Sequence, residues 1–270
     1  MRGASRASLS EARDRLVAAV AEPGTAARLS DELFAVVGLL DAQPALRRAL
    51  TDPTRPQAAR AGLARSLLEG KVSRATLNTV GGLAAARWSA PRDLATATEQ
   101  LAVLAAAAAT SGTGHLDDVE DELFRFGQVV AANPALRSAL SSPLAPGDLK
   151  RQLLDTLLAG KVTDTSLRLI TQAAVHPRGR SLDASLTEYA RLVAEWRQRL
   201  IAVVRVAVPL SDGERDRLSA VLAAVFGHGV HLDVLVDPAV LGGISVRIGD
   251  EFIDGSVASR LAALRRQLAA

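Results

Sequence analysis

Cysteine is absent from the 270 residues, which excludes disulfide staples, thiolate metal sites and a cysteine nucleophile together. Aromatic side chains are nearly as scarce, at 3%. An interior built without them must be packed by alanine, leucine and valine. Hydrophobic residues make up 49% of the chain, well above what a disordered chain carries, and this aliphatic usage favours close-packed helices. Lysine occurs only at Lys71, Lys150 and Lys161, so the isoelectric point of about 9.9 rests on arginine. The arginines are interleaved with Asp and Glu and the formal charge is only +3, so no nucleic-acid partner is expected. Long apolar runs are also missing. Leu101 to Ala109 is too short to cross a bilayer, and Met1-Arg2-Gly3-Ala4-Ser5-Arg6 lacks the apolar core of an export signal. A soluble, unexported chain without a transmembrane segment is the expectation.

What the chain does contain is a repeat. Asp31-Glu32-Leu33-Phe34 returns as Asp121-Glu122-Leu123-Phe124, an offset of 90 residues. The offset holds for Pro44-Ala45-Leu46-Arg47 and Pro134-Ala135-Leu136-Arg137, for Pro53 and Pro143, and for Gly70-Lys71-Val72 and Gly160-Lys161-Val162. Beyond Leu77 and Leu167 the register slips by two, so that Arg92 and Leu94 correspond to Arg180 and Leu182. Two copies make a duplicated domain and not a solenoid array.

Within each copy the apolar spacing is helical, with Leu29, Leu33, Val36 or Val37 and Leu40 on one face and Leu153, Leu157 and Leu158 on another. Ser8 with Glu11 has the pattern of a capping box, Pro44 and Pro134 suit first helical turns, and Gly70 and Gly160 suit left-handed helix ends. About six helices are expected in the first copy and about five in the second. Ser111-Gly112-Thr113-Gly114 reads as the flexible connector between them, and the acidic run from Asp117 to Glu122 as the opening turn of the next helix. Near Leu200 the apolar period changes to two. Val204 to Val208, Val230 to Val236 and Ile244 to Ile248 read as strands. A helix capped by Ser211 and Glu214, carrying Leu218, Val221, Leu222 and Val225 inward, separates the first two, and a last helix starts near Ser256. The predicted architecture is thus helical plus a small α/β part: an N-terminal helical bundle over 1–110, a duplicated helical unit over 111–200, and a C-terminal mixed-sheet module with two helices over 201–270.

Catalytic, cofactor-binding and metal-binding residues are not expected. The repeated Gly-Lys-Val-Ser/Thr imitates the end of a phosphate loop, but the required glycine is Arg65 in one copy and Asp155 in the other, so a helix C-terminus explains it better. His228 and His231 lack a third ligand nearby. Trp88 and Trp196 read as half-buried packing residues on helices. A small hydrolase would need Asp237, Asp250 or Asp254 to converge with a histidine.

One stretch is distinctive: Val236-Asp237-Pro238-Ala239-Val240-Leu241-Gly242-Gly243-Ile244, followed by Gly249-Asp250, Asp254-Gly255-Ser256 and Arg260-Leu261. It resembles the end of the F-type ATP synthase delta subunit, the family that includes mitochondrial OSCP. Physically, Gly242-Gly243 permits a turn or bulge, Gly249-Asp250 a hairpin, and Asp254 or Ser256 a helix cap. The resemblance implies a non-enzymatic stator without cofactors, peripheral on the cytoplasmic face of a bacterial plasma membrane. There, helices of the bundle receive the N-terminal helix of an alpha subunit and the α/β module grips the b stalk. A typical member has one helical domain, and the duplication resembles the enlarged form of some actinobacteria. For the alpha-subunit helix the first copy is expected, because Ser8 to Val20 supplies an extra helix with Leu9, Ala12, Leu16 and Ala19 or Val20 as its apolar stripe, joined by Leu77 and Val80. The alternative reading is a general helical adaptor unrelated to ATP synthase.

Overall fold

The computed structural model describes residues 1, 3–22, 24–111, 115–199, 201–226, 230–237, 243–248 and 251–254 of the protein. The chain divides into two units, Met1–Ala194 and Glu195–Ala270. In the first, copy one comprises α1 (Ala4–Val20), α2 (Thr25–Ala42), α3 (Pro44–Thr51), α4 (Gln57–Leu68), α5 (Arg74–Ala85) and α6 (Pro91–Ser111). Copy two comprises α7 (Leu116–Ala132), α8 (Pro134–Ser141), α9 (Gly147–Leu158), α10 (Asp164–Val175) and α11 (Leu182–Arg199). Six helices and then five match the periodicity.

Pro44 and Pro134 occupy the first turns of α3 and α8, where a missing amide costs no hydrogen bond. Gly70 and Gly160 follow α4 and α9 with φ of 72° and 71°, which only glycine adopts without strain. The two repeated motifs turn out to be one device. In copy one, Glu32 accepts from the Ser73 amide at 2.8 Å, the Ser73 hydroxyl at 2.6 Å and the Thr76 hydroxyl at 2.6 Å. In copy two, Glu122 accepts from the Thr163 amide at 3.0 Å and its hydroxyl at 2.9 Å. Each carboxylate therefore closes the N-terminus of the copy's fourth repeated helix, where orphan amides and the helix dipole favour negative charge. The other end is closed by a cation. Arg60 donates to the carbonyls of Ala85 and Ala86, and Lys150, at the matching position, to that of Ala174.

α6 lies against α1, α2, α3, α5, α7 and α10. Ala95, Ala97, Ala102, Ala105, Ala106 and Ala107 on it have no solvent exposure, so six neighbours can approach one helix closely because its side chains are small. Glu99, on the same helix, is 1% exposed and accepts from Arg178, Arg180 and the Tyr189 hydroxyl of copy two. Arg178 (φ 52°) and Gly179 (φ 76°) turn the α10–α11 loop through left-handed conformations, and Arg178 also bonds Asp41 of α2 at 2.5 Å. Burial raises the Tyr189 pKa, with the Glu99 charge adding to it, so this hydroxyl remains a donor.

In the second unit, β1 (Ile201–Val206), α12 (Asp212–Phe226) and β2 (His231–Val236) form a parallel crossover, and β3 (Ile244–Ile248) and β4 (Glu251–Asp254) continue antiparallel in the order β2-β1-β3-β4. Ala202, Val204, Val206, Val246 and Ile248 share one face and pack with Leu222 and Val230.

Several expectations are corrected. α1 begins at Ala4, so Ser8 is inside the helix and caps nothing; its hydroxyl donates to the Arg87 carbonyl, because α1 packs on the end of α5 and α6. Leu157 is 37% exposed, whereas Leu154 is fully buried: the core face of α9 runs through Leu154 and Lys150, not through the stripe Leu153, Leu157 and Leu158. Trp88 lies in the α5–α6 loop, donating to the Leu83 carbonyl, and Trp196 is buried at 3%. The first strand begins at Ile201 and stops at Val206, leaving Val208 exposed. Val221 and Val225 also face solvent, and β4 is an additional strand whose four residues carry too little periodicity to show in the sequence. The connector 112–114 and the final helix from Ser256 lie outside the described residues.

Two measurements test this packing. Glu99→Ala leaves the buried Tyr189 hydroxyl without its acceptor and Arg178 with Asp41 alone, and lowers the stability of the helical unit by about 1–3 kcal/mol in urea denaturation followed by circular dichroism. For Glu32, burial is the largest single influence and raises the carboxyl, but the bonds from Ser73, Thr76 and Arg28 together outweigh it and hold the pKa at about 2, below the ordinary 4.5. The folded-state pKa is depressed, so its contribution is full above 4.5 and is lost as pH falls toward 2. Glu32→Gln accordingly separates from the parent protein in denaturation midpoint at neutral pH, and the two converge in that acid window.

Candidate partner-binding surfaces

The first helix presents two faces. Leu9 (9%), Ala12 (4%) and Leu16 (1%) are buried, and Val80 of α5 is 3% exposed, so these four serve the core of the unit itself. Val20 and Leu77 are half-buried. Beside this stripe, between α1 and α5, runs a groove of about 420 Å³. Its α1 side carries Arg15, Ala18, Ala19 and Glu22, and its α5 side Arg74, Ala75, Asn78 and Thr79. Of the residues the sequence nominated, Ala12 lines it, as does Ala19, the alternative to Val20. The residues that sequence reasoning missed are small or polar. Their signal was the alanines Ala18 and Ala75 flanking the apolar stripe, since two helices with short side chains leave a channel between them.

The offset of 90 gives this groove a counterpart between α6 and α10. There, Ser30 of α2 donates to the carbonyl of Ala102, the equivalent of Ala12, and Asp31 pairs at 3.2 Å with Arg168, the equivalent of Asn78. α6 is at once the last helix of copy one and the first of copy two, so the surface that α1 leaves open is covered on α6 by the chain's own α2. The two copies therefore differ at this surface.

In the second unit, the sheet face away from the core carries Val203, Arg205, Leu235, Arg247 and Phe252. Leu235 is 45% and Phe252 58% exposed. Arg247 is paired with Phe252 across β3 and β4, its guanidinium carbon 5.8 Å from the ring centroid, a cation–π contact in which the arginine shields part of the ring. Of the nominated signature residues, Gly243 has φ 84°, which accounts for a glycine immediately before β3. The Asp237 amide donates to the Val206 carbonyl at 2.8 Å, closing the end of the β1–β2 pair. Asp254 is the last residue of β4, paired with Ser245. Pro238, Gly242, Gly249, Asp250, Gly255, Ser256 and Arg260 lie outside the described residues, as does His228. Among the described residues no three His, Asp or Glu side chains are grouped to hold a metal ion, and no helix is long and apolar enough to cross a membrane.

Comparison with known proteins bears on these surfaces. Residues 101–268 match the family described as ATP synthase delta (OSCP) subunit. "ATP synthase subunit delta" of Thermobifida fusca is 48% identical over the full length of both chains, and that of Streptomyces griseus 49% identical over the full length of both. A chain of the Toxoplasma gondii mitochondrial ATP synthase hexamer matches at 20% identity over 62% of this chain and 97% of its own. Its TM-score of 0.31 is too low for it to bear on the fold. With a family match over more than half its length and full-length relatives near 48% identity, this chain belongs to the ATP synthase delta (OSCP) subunit family.

Proposed function

We propose that the chain is a structural stator subunit of an F-type ATP synthase, joining the catalytic head to the peripheral stalk on the cytoplasmic side of the membrane and catalysing no reaction of its own. The family assignment supports this role. The observation that carries the finer reading is the asymmetry of the two copies: the α1/α5 groove is open, while its α6/α10 counterpart is bordered by α2 through Ser30 and Asp31. The N-terminal helix of the alpha subunit docks in the α1/α5 groove of copy one. Small residues on its floor let a partner helix approach closely, and Arg15, Glu22 and Arg74 on its rim fix the register. The b stalk docks on the open sheet face of the second unit, where Leu235 and Phe252 offer apolar area beside Arg205 and Arg247. The division into 1–110, 111–200 and 201–270 then separates a head-binding part, a spacer that braces it, and a stalk-binding part. Holding two partners at once slows release, because either joint can reform while the other holds, as resistance to torque requires.

Ala75→Arg and Ala18→Arg place a long side chain in the groove without touching the buried stripe. Each weakens binding of a synthetic alpha-subunit N-terminal helix, measured by calorimetry on the full chain, by about tenfold or more. Unchanged affinity in both variants overturns the groove assignment. Phe252→Asp reduces recovery of the b subunit with the purified chain and leaves alpha-peptide binding intact.

A further inference from the structure

The exposed leucine stripe of α9 belongs to a second groove, which the stator reading above leaves without a purpose. Phe126 and Val129 of α7, Leu136 of α8, Leu153 and Leu157 of α9 and Val162 enclose about 640 Å³, half as large again as the α1/α5 groove. Val129 is 48% and Leu157 37% exposed, so the surface is apolar yet wet, a costly arrangement for a chain with no occupant there.

The charged residues that line it, Glu122, Arg125 and Lys161, gather at one end, and the carboxylates there already have partners. Glu122 turns both carboxylate oxygens onto Thr163. Asp121 also lies on α7, in an exposed i,i+4 pair with Arg125 at 3.3 Å, which contributes little to stability and leaves the guanidinium 77% exposed. Arg125 and Lys161 are the lining cations, and both stand at the end where α9 terminates, because Lys161 follows α9 directly and Arg125 is one turn from Glu122. The opposite end, at Asn133 and Leu136, is uncharged. Copy one keeps Lys71 at the position of Lys161 but has Ala35 in place of Arg125, so the arginine alone is particular to copy two. From Glu122 to Asn133 the α7 wall is about 16 Å long at 1.5 Å per residue, the length of three helical turns.

We infer that the α7–α8–α9 groove of copy two receives a short amphipathic helix of another subunit of the complex, with apolar residues at i, i+3 or i+4 and i+7 and with Asp or Glu at the end that meets Arg125 and Lys161. The duplicated unit is then a third point of attachment, separate from the α1/α5 groove and from the sheet face. This site does not depend on the alpha-subunit assignment.

The test uses the assembled ATP synthase, with the photo-reactive residue benzoylphenylalanine replacing Val129 in one preparation and Ala75 in another, and with cross-linked segments identified by mass spectrometry of the purified complex. Position 129 is expected to yield one helical segment of the stated pattern, different from that captured at position 75. The charge reversals Arg125→Glu and Lys161→Glu reduce the yield at 129 by about tenfold, as does high salt, and leave the yield at 75 unchanged. No cross-link at 129, a cross-linked segment without an acidic end, or indifference to charge reversal overturns the inference. Failure at 75 alone counts against the alpha-subunit groove and not against this site.

Discussion

Glu99 sits in the middle of α6 with almost no access to water, and the joining of the two helical copies depends on how that charge is satisfied. Arg178, Arg180 and Tyr189, all from copy two, converge on its two oxygens. A lone carboxylate in that position would be prohibitive, so the copies cannot separate without exposing or stranding it. The cluster also accounts for an unusual stretch of backbone. Arg178 pays for its left-handed φ by reaching both Glu99 and Asp41, fastening copy two to α6 and to α2 at once.

That fastening decides which surfaces remain for partners. By lying along α6, α2 brings Asp31 to Arg168 and covers the second version of the α1/α5 groove. Two copies of one repeat thus differ in surface: the groove is open between α1 and α5, while its counterpart on α6 is an internal joint with α2. The alanine surface of α6 makes the arrangement feasible: larger side chains would hold α2 and α10 away from the helix they share.

Much of this is legible in the sequence. Proline at first turns, glycine at left-handed ends, the count of helices, the change of period near Leu200 and the Ser211–Glu214 capping box follow from local rules. Each depends on groups within about one turn of the helix. The capping pattern at Ser8 failed because the same residues can serve a helix interior when a tertiary acceptor, here the Arg87 carbonyl, is near. The candidate groove was legible only in part. An apolar stripe on α1 marks the face that is buried, and in a helix packed against its own chain that face is the core. The groove lies on the flank, which periodicity does not distinguish from ordinary surface.

The repeated tetrapeptide shows where the division falls. Asp-Glu-Leu-Phe fixes in both copies a helix whose Leu33 or Leu123 is fully buried and whose Glu32 or Glu122 caps another helix, because helical periodicity and the 41-residue return of the chain are properties of each copy alone. The fate of the phenylalanine is not. Phe34 is 8% exposed, one turn from the aspartate that meets Arg168, while Phe124 is 65% exposed. Identical residues in identical local structure acquire different surroundings, since burial is a property of what packs against a helix, and that neighbour is supplied by distant parts of the chain.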